Sequence, residues 1–185
     1  MEKQDGTKLN TLEGNNTRPT LDRIKESLFN ILQNKIQDAC VLDLFAGSGA
    51  LGIETLSRGA KEAIFCDSSK KAIGVIKSNL IKTNLMENAT VINKDYKGCL
   101  KILSENKCRF DIIFIDPPYD ADIAVKSVEQ VINLNILAKE GIIIIETDEE
   151  KRELRELNLV DKVDVYDLRK YGRVKLIFLK RKEQK

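Results

Sequence analysis

The chain has 185 residues, of which 42% are hydrophobic and 32% charged, and its formal net charge is only +2. This length and composition suit one globular domain, so we predict a single domain over residues 1–185, with an arm at 1–20 and the core at 21–185. The sequence contains no histidine, which excludes a His-based catalytic triad and a Cys/His zinc site.

The front of the chain predicts an arm followed by a helix. Residues 1–16 are polar and carry little helix or strand signal, so we expect a mobile or docked irregular arm. Thr20 is a plausible N-cap for a helix over 21–34, whose apolar side chains form one stripe. Positive charge at the start of a helix opposes the helix dipole, which favours an anionic partner there. The basic residues at that start are Arg18, Arg23 and Lys25.

From Cys40 onward, apolar strand-like runs alternate with helical stretches, which predicts an α/β fold with a parallel sheet between helices. The predicted strands are 41–45, 63–66, 90–92, 110–115 and 141–145. A first predicted helix in this region starts near residue 50, and three more cover 69–83, 96–105 and 121–134. A short charged helix after the strand at 141–145 is predicted to end near residue 157. The chain then changes: 163–168 alternates with period two, Tyr171-Gly172 predicts a turn, and 174–179 is another strand. We expect seven strands, mostly parallel, with the last one antiparallel.

A glycine-rich loop follows the first predicted strand. Gly47, Gly49 and Gly52 form a G-x-G-x-x-G pattern between a strand and a helix, which is typical of a nucleotide site at a helix N-terminus. Asp67 ends the next strand, where it either accepts hydrogen bonds from ribose hydroxyls or caps the following helix. A nicotinamide cofactor and S-adenosylmethionine both carry an adenosine ribose, so these residues do not separate the two.

Three further features favour S-adenosylmethionine over a nicotinamide cofactor. Asp43 precedes the glycine loop in the strand, where a carboxylate can hold a cationic amino-acid end but would repel a pyrophosphate. Asp95 closes the third strand and either accepts from the adenine amine or caps the next helix. The fourth strand ends in the turn D-P-P-Y, which suits the presentation of an amine to a methyl donor.

The D-P-P-Y turn occupies residues 116–119. A proline pair cannot continue a central strand, so the turn leaves polar groups at the strand's C-terminal end, where ligands bind in open α/β sheets. The oxygens of Asp116 and Pro117 can accept from an exocyclic amine, and Tyr119 can stack on a base. The alternative is an ordinary strand-ending turn with a half-buried tyrosine.

The cysteines and the hydropathy indicate the compartment. The four cysteines show no C-x-x-C pairing and lie in apolar runs, which indicates reduced core residues and a cytoplasmic protein. No apolar run approaches membrane-spanning length, and we expect neither a membrane partner nor a signal segment. We expect a monomer.

The glycine-loop segment and the D-P-P-Y turn together resemble the class I S-adenosylmethionine-dependent methyltransferases, which have a Rossmann-like fold. The segment T-R-P-T-L-D-R-I-K-E at 17–26, with Phe29-Asn30, is similar to the RsmD family, which methylates N2 of a guanine in small-subunit ribosomal RNA. The resemblance extends from about Gly6 to Lys180. It implies S-adenosylmethionine as the cofactor, ribosomal RNA in the small subunit or its assembly intermediate as the partner, and no metal.

The residue patterns and this resemblance predict three groups of site residues. The catalytic group is Asp116, Pro117, Pro118 and Tyr119. The cofactor-binding group is Asp43, Phe45, Gly47, Gly49, Asp67 and Asp95. The RNA-binding group is Arg18, Arg23 and Lys25. Asp116 and the Pro117 carbonyl are expected to hold the amine hydrogens, so that the nitrogen lone pair points at the methyl group.

The sequence leaves two other functions possible, and it leaves the role of a second basic segment undecided. A DNA adenine-N6 methyltransferase with a D-P-P-Y turn is one alternative, and a non-catalytic RNA-binding module is another. Residues 169–185 carry eight basic side chains against one acidic side chain. They form either a solvated tail or a surface that adds non-specific attraction to RNA, and their hairpin turn can lie at either end of the sheet.

Overall fold

The computed structural model describes residues 8–11, 19–118, 121–148, 150–158 and 160–182. These residues form one sheet with helices on both faces. The helices are α1 (Pro19–Ile36), α2 (Ala50–Ser57), α3 (Lys70–Lys82), α4 (Tyr96–Glu105), α5 (Ala121–Asn133) and α6 (Glu150–Leu157). The strands are β1 (Cys40–Asp43), β2 (Glu62–Asp67), β3 (Ala89–Asn93), β4 (Phe110–Ile115), β5 (Leu137–Thr147), β6 (Val163–Tyr171) and β7 (Val174–Arg181).

The seven strands lie in the order β3-β2-β1-β4-β5-β7-β6. Strands β1 to β5 are parallel to one another, while β7 is antiparallel to both β5 and β6. This confirms the predicted sheet and its antiparallel last strand. The centre of the sheet is β4 with the second half of β5, which is buried on both faces and therefore forms a continuous apolar run.

Side chains along the two central strands alternate between two apolar cores. Ile113 and Ile115 of β4 pack with α4, α5 and α6, whereas Ile112 and Phe114 pack with α1, α2 and α3. In β5 the even-numbered isoleucines likewise lie on the α1 side. A side chain at an even-numbered position just after either run is therefore expected on the α1 side of the sheet.

Helix α1 begins at Pro19, two residues before the predicted start, so Thr20 lies inside the helix and its predicted N-cap role is wrong. The predicted apolar stripe is confirmed by the buried side chains Ile24, Leu28 and Leu32. The helix ends at Ile36, directly before β1 at the amino ends of the parallel strands. Its first turns therefore lie toward the opposite edge, where the strands have their carboxyl ends.

The β6–β7 hairpin turns at Gly172-Arg173, one residue later than predicted, because the residues on either side of this pair face each other in the ladder. Gly172 has a φ of 65°, the left-handed conformation that two-residue hairpin turns use. Lys175 lies opposite Thr147 at the end of β5. The hairpin turn is therefore at the carboxyl edge of the sheet.

This topology divides the basic C-terminal segment between two edges. The residues around the turn, at the carboxyl edge, are Arg169, Lys170, Arg173 and Lys175. Arg181, at the end of β7, instead donates to the Asn135 side-chain oxygen at 2.7 Å and to the Leu137 carbonyl at 2.9 Å. The described part of the segment is thus neither a free tail nor one continuous surface.

The cysteines are in the reduced state that the sequence indicates. All four are free thiols, with Cys66 and Cys99 buried and Cys40 and Cys108 half-buried. None of the described helices is long and apolar enough to cross a membrane.

Candidate active site

The glycine loop after β1 combines open backbone with close packing. Gly47 and Gly49 have φ values of 55° and 79°, in the left-handed region. A Cβ at Gly47 would meet nothing within 4 Å, so its backbone is accessible to a ligand. A Cβ at Gly52 would instead lie 2.3 Å from Cε1 of the buried Phe65 ring. The third glycine therefore serves the packing of α2 on β2.

Asp43, in β1, is buried at 3% exposure and lies beneath the start of α2. The N-cap Gly49 offers no side chain to the free N–H groups of the first turn, and Asp43 accepts from the Gly52 N–H at 3.1 Å. Burial raises the pKa of Asp43 to about 7, and the nearby Asp67 adds to the shift, while the Gly52 hydrogen bond opposes it. Its contact with a cationic ligand stays a prediction.

Asp67, at the end of β2, fastens the glycine loop. One carboxylate oxygen accepts from the Gly47 N–H at 2.9 Å, and the other accepts from the Ser69 N–H at 2.8 Å. Ser69 is the N-cap of α3, so the alternative in which Asp67 itself caps that helix is wrong. Each oxygen has a second lone pair, which leaves acceptor capacity for ribose hydroxyls.

Asp95 is the N-cap of α4 and accepts from the Gly98 N–H at 2.8 Å. The capping alternative is therefore present in the structure, and an adenine contact would use the remaining acceptor capacity. The Phe45 ring lies 5.7 Å from the Tyr96 ring, centroid to centroid, at an interplanar angle of 39°. Tyr96 was not selected from the sequence, although an aromatic residue directly after the strand-ending Asp95 was the available signal.

Asn79 is a second residue that sequence reasoning missed. It lies in α3 with 0% exposure, and its side-chain amide donates to the Ser48 carbonyl at 2.9 Å and to the Asn10 carbonyl at 3.0 Å. Its side-chain oxygen accepts from the Asn10 N–H at 2.7 Å. Residues 8–11 of the arm are thus docked on α3 and connected to the glycine loop, an arrangement for which a lone Asn in a helix gives no sequence signal.

The end of β4 brings Asp116 next to Glu146, which the sequence analysis did not select. Ile115 and Ile145 are register partners in parallel strands, so the two carboxylates follow in adjacent positions. Both line a recess of about 10 Å³, roughly the space of one water molecule. The apolar walls of this recess include Leu28, Leu51, Ile144 and Leu176.

Both of these neighbouring carboxyl groups have a raised pKa. Burial, followed by repulsion from Glu146 and Asp43, raises the pKa of Asp116 to about 8, although the residue as a whole is exposed. Burial also raises the pKa of Glu146. Pro117 is half-buried and Pro118 exposed. Tyr119, the remaining predicted catalytic residue, lies outside the described residues.

Two of the predicted RNA-binding residues, Arg23 and Lys25, lie in the first half of α1. Arg23 is exposed, and Lys25 forms a long ion pair of 3.9 Å with Asp22. Ser27, one turn after Arg23, forms a hydrogen bond with the Tyr171 hydroxyl at the end of β6. Arg23 therefore lies at the same edge as the hairpin turn, while Arg18 falls outside the described residues.

A larger recess, of about 280 Å³, lies at the opposite edge of the sheet. It is lined by Lys35, Gln37, Asp38, Ala39, Asp111 and Glu140, which surround the amino ends of β1 and β4. Ligands of open α/β sheets bind at the carboxyl ends of the strands, so the site is the edge with the glycine loop and Asp116.

Comparisons with known proteins identify the family of the chain. The family model described as Conserved hypothetical protein 95 matches residues 3–180. A Bacillus subtilis protein, YlbH, provisionally named an rRNA methyltransferase, is 39% identical over 145 residues, or 78% of this chain and 79% of that protein. The Haemophilus influenzae Ribosomal RNA small subunit methyltransferase D is 39% identical over 147 residues, or 79% of this chain and 76% of that protein.

A solved structure has the same fold as this chain. An Escherichia coli protein, yhhF, provisionally named a methyltransferase, matches with a TM-score of 0.77 and 28% identity, covering 95% of this chain and 92% of that chain. The predicted Rossmann-like methyltransferase fold and the predicted cofactor, S-adenosylmethionine, are confirmed. The chain belongs to the RsmD family of S-adenosylmethionine-dependent methyltransferases.

Proposed function

We propose that the protein transfers a methyl group from S-adenosylmethionine to the exocyclic N2 amine of a guanine in small-subunit ribosomal RNA. The observation that carries the proposal is the Asp116 carboxyl group, which no described residue pairs with, at the end of β4. It shares its recess with Leu51 of the helix that follows the glycine loop. Relatives named for the methylation of small-subunit ribosomal RNA support the substrate.

The cofactor is proposed to bind along the carboxyl ends of β1, β2 and β3. The open backbone at Gly47 admits close approach, Gly49 supplies the left-handed backbone before α2, and the remaining lone pairs of Asp67 accept from the ribose hydroxyls. Asp95 is proposed to accept from the adenine amine, beside the Phe45 ring. Asp43 attracts the cationic amino-acid end from beneath the loop.

The protein's part in the chemistry is mainly to orient the amine. When bound, S-adenosylmethionine supplies an electrophilic methyl group. A guanine amine is a poor nucleophile because its lone pair is delocalised into the ring. Asp116 and the Pro117 carbonyl are proposed to accept its two hydrogens, which directs the lone pair out of the ring plane. Tyr119 is proposed to stack on the base after it leaves its own stack.

The proton that leaves the amine needs an acceptor. A carboxylate whose pKa lies near the working pH is suited to general-base catalysis. Asp116, with its pKa raised to about 8, fits this requirement better than an ordinary aspartate. The same group can thus orient the amine first and take its proton afterwards.

The first experiment measures methyl transfer from labelled S-adenosylmethionine to small ribosomal subunits, to naked ribosomal RNA and to duplex DNA, and then maps the modified base. We expect label on N2 of one guanine in RNA. Label on adenine N6 in DNA would establish the alternative enzyme. Retained cofactor binding without transfer to any of the three would indicate a non-catalytic RNA-binding module.

The RNA is proposed to approach along the front of α1. Arg23 and Lys25 lie at the same edge as the hairpin turn, where they can contact phosphates beside the target base, and Arg18 is proposed to join them. Each phosphate contact adds about −0.7 to the slope of log affinity against log salt for single-stranded RNA.

The second experiment measures this slope for wild type, Arg23→Ala and Lys182→Ala. Lys182 is a matched control, because it is an exposed cation at the opposite edge, where its backbone pairs with Lys162. Arg23→Ala should make the slope shallower without changing the affinity for S-adenosylmethionine. Equal slopes for the two variants would place the RNA surface elsewhere.

A further inference from the structure

Glu146 is a carboxyl group to which the proposed reaction has not yet given a role. It lies beside Asp116 in the parallel register and lines the same recess. No described residue donates a hydrogen bond to Glu146 or forms an ion pair with it. Glu146 is half-buried, and polar groups that are withdrawn from water nearly always have a partner. An unpartnered carboxyl at the ligand-binding edge of the sheet therefore indicates that a ligand provides the donor.

The position of Glu146 relative to Asp116 limits what that donor can be. Asp116 lies two positions after Phe114, and Glu146 lies two positions after Ile144. Residues two apart in a strand share a face, and both core residues are on the α1 side, so both carboxyl groups project on that side of the sheet. The recess between them has room for roughly one water molecule, so a larger ligand meets the two carboxyl groups with one edge at the mouth of the recess. The ligand edge must therefore carry neighbouring hydrogen-bond donors.

A guanine base has such an edge. Its Watson–Crick side carries the two N–H bonds of the N2 amine and, directly beside them, the N1–H. The proposed function provides two acceptors for the amine, at Asp116 and Pro117, and leaves the N1–H without one. Adenine differs at this place, because its N1 is a bare acceptor that would face the lone pairs of a carboxylate.

We infer that the Glu146 carboxylate accepts the N1–H of the target base and so selects guanine over bases whose N1 carries no hydrogen. The inference rests on the proposed function and adds a specificity-determining residue to it. Two other roles for Glu146 are a contact with the cationic end of the cofactor and a metal site. The described residues contain no group of three or more potential metal ligands, and the cofactor role is separated by a binding measurement.

The test compares RNA that carries guanine or 2-aminopurine at the mapped target position. 2-Aminopurine keeps the exocyclic amine, but its N1 has a lone pair in place of the hydrogen. The proteins are wild type, Glu146→Gln, Glu146→Asp and Glu140→Gln. Glu140 is a matched control, because it is an exposed glutamate near the opposite end of the same strand. The measurements are kcat/KM for each RNA and the affinity for S-adenosylmethionine.

We expect wild type to prefer guanine by ~100-fold or more, because a site built to accept an N–H rejects an analogue that lacks it. Glu146→Gln should lose about 10-fold on guanine, as a charge-assisted bond becomes a neutral one. The preference of this variant for guanine over 2-aminopurine should also shrink by about 10-fold or more, since the Gln amide can donate to the N1 of 2-aminopurine. Glu146→Asp should be slower but keep the preference, and Glu140→Gln should match wild type.

The outcomes separate this inference from the proposed function. The role of Glu146 would be overturned if Glu146→Gln kept the kcat/KM of wild type on guanine RNA. It would also be overturned if that variant preferred guanine over 2-aminopurine as strongly as wild type does. Loss of S-adenosylmethionine affinity in Glu146→Gln would assign the residue to the cofactor and also overturn it. If wild type methylates no guanine in any RNA, the proposed function itself fails, whatever the variants do.

Discussion

The two halves of the binding edge treat their carboxylates in opposite ways. At the ends of β1, β2 and β3, the carboxylates Asp43, Asp67 and Asp95 each accept hydrogen bonds from backbone N–H groups of the protein itself. At the ends of β4 and β5, Asp116 and Glu146 lie side by side, and no described residue pairs with either of them.

This difference separates preorganisation from substrate binding. Where acceptors hold backbone donors, the loops are fixed before the cofactor arrives, so substitutions that remove the acceptor should lower stability and cofactor affinity together. Where like-charged acceptors face each other without donors, the protein keeps a locally unfavourable arrangement that a ligand completes. Substitutions there should lower turnover without loss of stability.

The largest expected effect is on turnover. Asp116→Ala should lower kcat by ~10²–10⁴-fold, the range for a positioned acid–base group. Its S-adenosylmethionine affinity and its urea midpoint should not fall, because Asp116 pairs with no described residue. Asp164→Ala, a half-exposed position in β6, is the matched control. Near-normal turnover in Asp116→Ala would remove the orienting role, and a large loss of stability would contradict the distinction between the two halves.

The next effect concerns pH and the buried Asp43. Its raised pKa means that the folded protein keeps the proton from about pH 4, where an unfolded aspartate loses it, to about 7. Stability from this group is therefore full below pH 4 and decreases as the pH rises through 7, by up to about 4 kcal/mol. Asn at this position still accepts from the Gly52 N–H but never ionises.

Urea unfolding at pH 5 and pH 8 measures this dependence. Wild type should lose stability between the two values, and Asp43→Asn should lose much less, so that the variant becomes the more stable protein at pH 8. Asp164→Asn is the control for the chemical change alone. A wild-type loss that Asp43→Asn fully retains would assign the dependence to other carboxyl groups. The cofactor affinity of Asp43→Asn should be lower than that of wild type at pH 8, where Asp43 is ionised, and close to it at pH 5, where Asp43 holds its proton.

A smaller effect is expected from the third glycine of the loop. Gly52→Ala places a methyl group 2.3 Å from Cε1 of the Phe65 ring, which is completely buried. We expect a loss of ~1–3 kcal/mol in the free energy of unfolding from this overpacking. Gly74→Ala, in α3 with nothing within 4 Å of the new methyl, should instead gain about 0.5–1 kcal/mol. Equal effects of the two substitutions would contradict the packing role.

The smallest expected effect lies in the connection between α1 and the hairpin. The Ser27–Tyr171 hydrogen bond joins the middle of α1 to the end of β6. A double-mutant cycle of Ser27→Ala and Tyr171→Phe should give a coupling of about 0.5–1.5 kcal/mol in unfolding free energy. Tyr166→Phe, at a tyrosine with 42% exposure on the same strand, should show no coupling to Ser27→Ala. Zero coupling in the first cycle would mean that packing alone holds α1 in place.

The sequence by itself determined the layers, the succession of strands and helices along the chain and the edge of the site. Hydrophobic periodicity is a local property of the chain, so β4 and the second half of β5 could be predicted from residue types alone. The glycine loop and the Pro pair were readable for the same reason, since left-handed backbone and a missing N–H are properties of single residues. The antiparallel last strand followed from the period-two pattern around a turn.

Only the tertiary structure decided which groups meet. Asn79 joins the arm to the glycine loop, Asp67 binds the Gly47 backbone, and Glu146 stands beside Asp116, although these partners are far apart in the chain. The hairpin turn could lie at either end of the sheet until the Lys175–Thr147 register placed it at the binding edge. Such contacts depend on strand register and on the direction of each element, and a slip of one residue in a strand would send the side chains of that strand to the other face.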